Sequence, residues 1–203
     1  MAKLSHVDDK NRPAMVDVSS KAVTAREAHA RAVVVLPREV LAALDGDEIQ
    51  SKKGPVFATA IIAGVMAAKR THELIPFCHP IGLDRCNIRI EMAAADRAVI
   101  ECETAVRHRT GVEMEALTGA TVAALTVYDM CKGLSHDIRI EQARLIEKRG
   151  GKSDYDGDPA LADRLELHQQ LAGLALPVLG RGVVELQLQV PLRRLGLGAR
   201  ERG

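Results

Sequence analysis

Period-two alternation is the clearest pattern along the chain. Arg85 to Met92 reads RCNIRIEM, with Cys86, Ile88, Ile90 and Met92 on one side, and Ala98 to Ala105 repeats the pattern in AVIECETA. Ala94-Ala95-Asp96-Arg97 joins the two runs, which predicts an antiparallel hairpin. Asp137 to Ile146 alternates again and predicts a last strand. Thr24 to Leu36 alternates in its first half and ends in a Val triplet. Ala and Glu there favour helix, the β-branched end favours strand, and strand is the expectation.

Other segments lack alternation. Val56 to about Arg70 is apolar nearly all round and rich in small residues, which predicts a helix that is buried or lies in a subunit interface. Pro55 suits its first position. Val112 to about Lys132 predicts the longest helix, with Thr110 as N-cap, Glu113 completing a capping box and Gly133 as the stop. A short helix is expected over Pro37–Leu44, stopped by Asp45-Gly46-Asp47. Lys52-Lys53-Gly54-Pro55 reads as a loop. Pro76 and Pro80 hold Ile75–Pro80 in an extended or turning loop. Arg149 to Ser153 reads as a flexible, basic exit.

Strand, helix in two pieces, strand, strand, helix, strand is the α+β ferredoxin-like βαββαβ order, an antiparallel sheet with helices packed on one face. This domain is expected over residues 1–157, with 1–16 as a mobile arm. Residues 158–203 are a C-terminal extension with twelve leucines, six arginines and no lysine or isoleucine; its role has no signal in the sequence.

Composition narrows the partners. Lys plus Arg is 28 against 27 for Asp plus Glu, which argues against the broad basic surface of a nucleic-acid or anionic-membrane binder. Aromatic content is 2%, too little for single-strand binding by base stacking. The longest uncharged stretch, Gly54 to Ala68, falls short of the roughly 20 residues that span a bilayer. The four cysteines form no Cys-x-x-Cys pair and no secretory signal precedes them, so reduced thiols in the cytoplasm are expected.

The candidate chemistry lies in the charges of the longest helix: Glu113, Glu115, Asp129 and Lys132. Asp129 and Lys132 share a face. Glu115 and Asp129 are about 21 Å apart along the axis, so one chain cannot bring both to one small reacting centre. Two such helices packed antiparallel across a two-fold axis could, which predicts an oligomer. Lys53 precedes a helix N-terminus, where backbone donors and the dipole favour an anion such as phosphate. Ordinary readings stand beside these: Glu113 as a capping residue, Asp129 with Lys132 as a helix-end ion pair, Lys52-Lys53 as a solvated turn, and His79 as a structural histidine. Cys78-His79 has the wrong spacing for a metal half-site, and neither a metal nor a cofactor is expected.

Several motifs in order carry a resemblance. They are Met15-Val16-Asp17-Val18-Ser19, Lys53-Gly54 with Val56-Phe57-Ala58-Thr59-Ala60, Ile62-Ala63-Gly64 and Ala68-Lys69-Arg70-Thr71. Leu74-Ile75-Pro76-Phe77-Cys78-His79-Pro80, Thr110 to Thr118 (TGVEMEALT), Tyr128-Asp129-Met130-Cys131-Lys132 and Gly150-Gly151-Lys152-Ser153 complete the set. Over residues 4–157 the chain resembles the cyclic pyranopterin monophosphate synthase family of molybdenum cofactor biosynthesis. The resemblance implies a lyase acting on a cyclised dihydro-guanosine triphosphate, releasing pyrophosphate and closing a cyclic phosphate. It implies a homohexamer, a trimer of dimers, with sites at the dimer interface. It makes Asp129 the catalytic acid/base, with Lys53 and Lys132 as catalytic lysines. Phe77, Cys78, His79, Met114 and Glu115 match substrate-contacting positions, and Glu113, Lys148 and Arg26 match other pocket residues. Pro55 stands where the family usually has Asp, and is expected to alter loop stiffness without removing a needed group.

These residues also suit the reaction on chemical grounds. A triphosphate needs several cations, and proton transfers need carboxylates and a histidine. The rival class is a non-catalytic ferredoxin-like module that binds a nucleotide, which would need the lysines but not Asp129 and Glu115 facing them.

Overall fold

The computed structural model describes residue 10, residues 12–94 and residues 96–158. The extension expected over residues 158–203 lies outside these apart from residue 158, as do residues 1–9 and 11 of the expected arm. The chain has the ferredoxin-like α+β architecture. Strand β1 (Thr24–Val35) is central, paired on one side with β6 (Arg97–His108) and on the other with β7 (Arg139–Arg149). Strand β5 (Arg85–Ala94) forms the hairpin with β6, and β8 (Tyr155–Asp156) folds back on β7. The order is β5-β6-β1-β7-β8, antiparallel throughout.

Helices α2 (Val56–Ala68) and α4 (Glu113–Cys131) pack on this sheet and on each other. Alternation decides which strand side chains meet them. Ala28, Ala30, Ala32 and Val34 of β1 are buried in one core with Ala116, Ala120, Ala123 and Val127 of α4. Between them lie His29 and Arg31, which engage Glu101 of β6 at 2.5 and 2.6 Å.

The core is built from small side chains, and two glycines mark the helix crossing. A Cβ on Gly64 would lie 2.5 Å from Ile88 Cδ1 and 2.7 Å from the Gly119 carbonyl oxygen. A Cβ on Gly119 would lie 2.7 Å from Cys102 Sγ. The small-residue stripe of α2 is thus used for close approach to α4 within the chain. Gly64→Ala is expected to destabilise the fold by about 1–3 kcal/mol through overpacking against backbone, despite the better helix propensity of alanine. Urea unfolding checks this; an unchanged or raised midpoint would mean that the crossing yields easily.

Three local expectations are corrected. The helix expected over Pro37–Leu44 is a single turn, α1 (Arg38–Leu41). Leu44 instead begins a small three-stranded sheet of β2 (Leu44–Asp45), β3 (Glu48–Ser51) and β4 (Gly54–Pro55). Gly46, at φ +60°, lets Gly46-Asp47 form a two-residue hairpin turn, and burial of Ile49 anchors it. The capping box at Thr110 does not form. Val112 is the N-cap of α4 with no side-chain cap, because the Glu113 carboxylate pairs with Lys148 at 3.0 Å. The basic stretch 149–153 is the turn between β7 and β8. Gly150 and Gly151 take positive φ, the Asp154 carboxylate accepts from the Gly150 N–H at 2.9 Å, and Arg149 pairs with Asp156 at 2.5 Å.

Candidate active site

Two clusters of candidate side chains form, one at each end of α4. The first lies at its N-terminal end, in a cavity of about 500 Å³. The loop after α3 (Thr71–Leu74) supplies Phe77, Cys78 and His79. The start of α4 supplies Glu113, Met114 and Glu115, and β7 supplies Lys148. Proline on both sides of Phe77-Cys78-His79 keeps that segment out of helix, so its side chains can turn into the cavity. The first described part of the chain closes the wall with Val16, Val18 and Lys21. His79 Nε2 donates to the Val16 carbonyl at 2.9 Å, which leaves Nδ1 as the free ring nitrogen among the described residues.

Glu115 is the unusual group here. Its side chain is buried, with 3% of its surface exposed. Burial raises its carboxyl to about 7, with the Glu113 charge adding to the effect and a backbone hydrogen bond opposing it. Burial also raises the Cys78 thiol, and the Glu115 charge adds. A carboxyl raised in the folded state binds its proton more tightly there than in the unfolded chain. Stability is therefore greatest below the unfolded value, near 4.5, and falls as pH rises through 7. The loss is on the order of 3 kcal/mol from the size of the shift. Glu115→Gln is expected to flatten this slope and to raise the melting temperature at pH 8. Melting curves from pH 5 to 8 test it, and an unaltered slope in the variant would assign the titration to another group.

The second cluster lies at the C-terminal end of α4, beside a cavity of about 430 Å³ that Lys53, Asp129 and Lys132 line. Lys132 Nζ meets Asp129 Oδ1 at 2.6 Å, and Lys53 Nζ meets Oδ2 at 2.8 Å and the Asp129 carbonyl at 3.0 Å. The Asp129–Lys132 pair is the helix-end pair legible from sequence; the small sheet adds Lys53. Hydrogen bonds and charge from Lys132, then from Lys53, hold the Asp129 carboxyl down at about 2. Asp129 in turn raises Lys132. One carboxylate thus holds two exposed ammonium groups where a larger anion could replace it. Beneath them Cys131 is buried, which pushes its thiol up to about 11; Glu48 adds to this and Lys53 opposes it.

Two further groups have definite places. The N-terminus of α2 is not open to phosphate, because the Glu48 carboxylate occupies it, accepting from the Phe57 N–H at 2.7 Å and the Ala58 N–H at 3.0 Å. Arg26 is not among the residues that line the first cavity. Its guanidinium donates to the carbonyls of His108, Arg109 and Gly150 at 3.3, 3.4 and 3.3 Å, so it ties the end of β6 to the turn after β7, next to Thr110 and Lys148 of the wall. Glu48, Ser51 and Lys21 had no motif or period to mark them in the sequence. Among the described residues no group of three or more His, Cys, Asp or Glu side chains could hold a metal ion, and no helix is long and apolar enough to cross a membrane.

With this geometry in place, comparison with known proteins is specific. The model of the MoaC family matches residues 15–151. A cyclic pyranopterin monophosphate synthase of Xanthomonas campestris pv. campestris (strain B100) is 58% identical over 153 residues, covering 75% of this chain and 93% of that protein. Two longer proteins also match. Molybdenum cofactor biosynthesis protein 1 of Dictyostelium discoideum is 48% identical over 168 residues, 74% of this chain and 27% of its own length. A molybdenum cofactor biosynthesis bifunctional protein of Synechocystis is 47% identical over 159 residues, 76% of this chain and 46% of its own length.

Proposed function

The chain belongs to the MoaC family, and from that premise we propose that it is a lyase of molybdenum cofactor biosynthesis. It converts a cyclised dihydro-guanosine triphosphate to cyclic pyranopterin monophosphate and releases pyrophosphate. The observation that carries this reading is the pair of ammonium groups, Lys53 and Lys132, held on the single carboxylate of Asp129. Such a pair is a preformed seat for a polyphosphate, whose charge takes the place of the carboxylate. Asp129, once released, regains a proton affinity suited to acid/base work. Glu115, near 7, supplies a second group able to give or take a proton at neutral pH. His79, Cys78, Phe77, Met114, Glu113 and Lys148 shape the pocket around it.

The two clusters sit at opposite ends of a helix, and a complete site joins the Asp129 end of one chain to the Glu115 end of another. A homohexamer built as a trimer of dimers, with sites at the dimer interface, satisfies this. The cytoplasm is the compartment that suits the free thiols of Cys78, Cys86, Cys102 and Cys131.

The test is pyrophosphate release on addition of the cyclised triphosphate. Tight binding without release would favour the nucleotide-binding module, and neither binding nor release would remove both readings. Residues after 157 contribute no lysine and none of the motifs, so truncation after Gly157 is expected to leave the rate unchanged. A large loss in that assay would place the extension over the pocket or in the assembly.

A further inference from the structure

The turn that carries Lys53 belongs to a sheet whose strands are two to four residues long, too short to hold a lysine in place unaided. Two hydrogen bonds and one glycine set its local shape. The Ser51 hydroxyl accepts from the Lys53 N–H at 3.1 Å and donates to the Gly54 carbonyl at 3.0 Å, and Gly54 takes φ +112°. What seats this turn against the body of the protein lies upstream. Ile49 is fully buried, and its neighbour Glu48 reaches across to α2. Pro55, the N-cap of that helix, offers no side-chain acceptor, so the first helical amides need one from elsewhere. Glu48 Oε1 accepts from the N–H groups of Phe57 and Ile49, at 2.7 and 2.8 Å, and Oε2 accepts from Ala58 at 3.0 Å. Both oxygens are used, and the helix dipole favours the charge. Among the described residues the Glu48 carboxylate has no ion pair, so its partners are the backbone amides.

We propose that Glu48 is a positioning residue for Lys53: by capping α2 from the neighbouring strand, it fixes the β3–β4 turn at the height from which Lys53 reaches Asp129. This rests on the reading of Lys53 as a substrate-binding lysine. A lysine displaced by about 1 Å from a transferring phosphate loses about two orders of magnitude in rate, although its charge remains. The same carboxylate fills the α2 N-terminus, so recognition of the phosphates is left to the lysine side chains.

Glu48→Ala and the milder Glu48→Gln separate positioning from general stability. The first readout needs no substrate: the rate at which an amine-reactive acylating reagent modifies Lys53 in the intact protein, resolved by mass spectrometry. Hydrogen-bonded to the Asp129 carboxylate and carbonyl, the amine is less free to attack the reagent; released, it should react several-fold faster in both variants, with Lys69 as the unchanged internal reference. The second readout is turnover, where kcat should fall by about tenfold to a hundredfold. Ile100→Val, a change in the sheet core remote from the turn, supplies a comparison that loses stability but keeps the wild-type Lys53 acylation rate and kcat. A wild-type Lys53 acylation rate in the Glu48 variants, or a wild-type kcat, overturns the proposal. Should the unaltered protein release no pyrophosphate, the proposed function fails while the acylation comparison still decides the role of Glu48. If Glu48→Ala does not fold, Glu48→Gln decides alone.

Discussion

Lys53→Ala and Lys132→Ala are each expected to lower turnover by about a hundredfold to a thousandfold, the scale set by removing one preorganised donor from a developing negative charge. Neither change should harm the fold. Both side chains are about half exposed and make surface ion pairs, so no core cavity opens and little stability is at stake. The arrangement also decides how inactive chains can rescue one another. Lys53 and Lys132 meet on one Asp129, in one chain. A mixture of the two variants is therefore expected to stay inactive, since every copy of that cluster is damaged. Mixing Lys53→Ala with Glu115→Gln is different. If a site takes one cluster from each of two chains, a hybrid dimer holds one site with both lesions and one with none. Random exchange at equal amounts should then restore about a quarter of wild-type turnover. Rates that never exceed the sum of the two parents would sink the shared site, and near-normal activity of either lysine variant would remove that lysine from the chemistry.

Much of this was legible in the sequence wherever periodicity and burial agree. Cys86, Ile88 and Ile90 alternate because one face of β5 packs under α2, and the hairpin follows from that alone. The uncharged run between Glu115 and Asp129 follows from α4 lying across the sheet with Ala116, Ala120, Ala123 and Ala124 fully buried. The misreadings arise where contacts distant in sequence decide the local outcome. Glu113 has the spacing of a capping box, yet a lysine on another strand offers a full charge at 3.0 Å, and that outweighs a backbone amide. Asp45-Gly46-Asp47 reads equally as a helix stop or a hairpin turn; burial of Ile49, a tertiary fact, decides for the hairpin. Replacement of a capping residue by Pro55 suggests only a stiffer loop, because nothing local says that Glu48, on another strand, will reach the orphan amides. Lys53 could be marked as anion-binding from its position, but its meeting with Asp129 depends on that same small sheet.

Asp129→Asn is expected to retain or tighten binding of the triphosphate while losing turnover. The amide keeps the size of the carboxylate and its carbonyl can still accept from one lysine, but it cannot exchange a proton near neutral pH. It also leaves two ammonium groups close together with no charge between them, so an incoming phosphate no longer competes with a carboxylate. In the resting protein Lys132 and Lys53 hold the Asp129 carboxyl at about 2, too acidic for efficient proton transfer. Under the proposed function, substrate draws the lysines away before Asp129 acts, which would couple phosphate binding to activation of the acid/base group. The linkage has a definite sign. A depressed carboxyl contributes stability that is present above its unfolded value, near 3.8, and is lost as pH falls toward 2. The Asn variant should lack that part of the acid transition. Calorimetric affinity and pyrophosphate release, measured on the same sample, separate the roles. Wild-type turnover with only the acid transition altered would make Asp129 a structural clamp for the lysines. Lost turnover with undiminished affinity makes it the group that moves the proton, because the phosphate seat, both lysines included, is still in place.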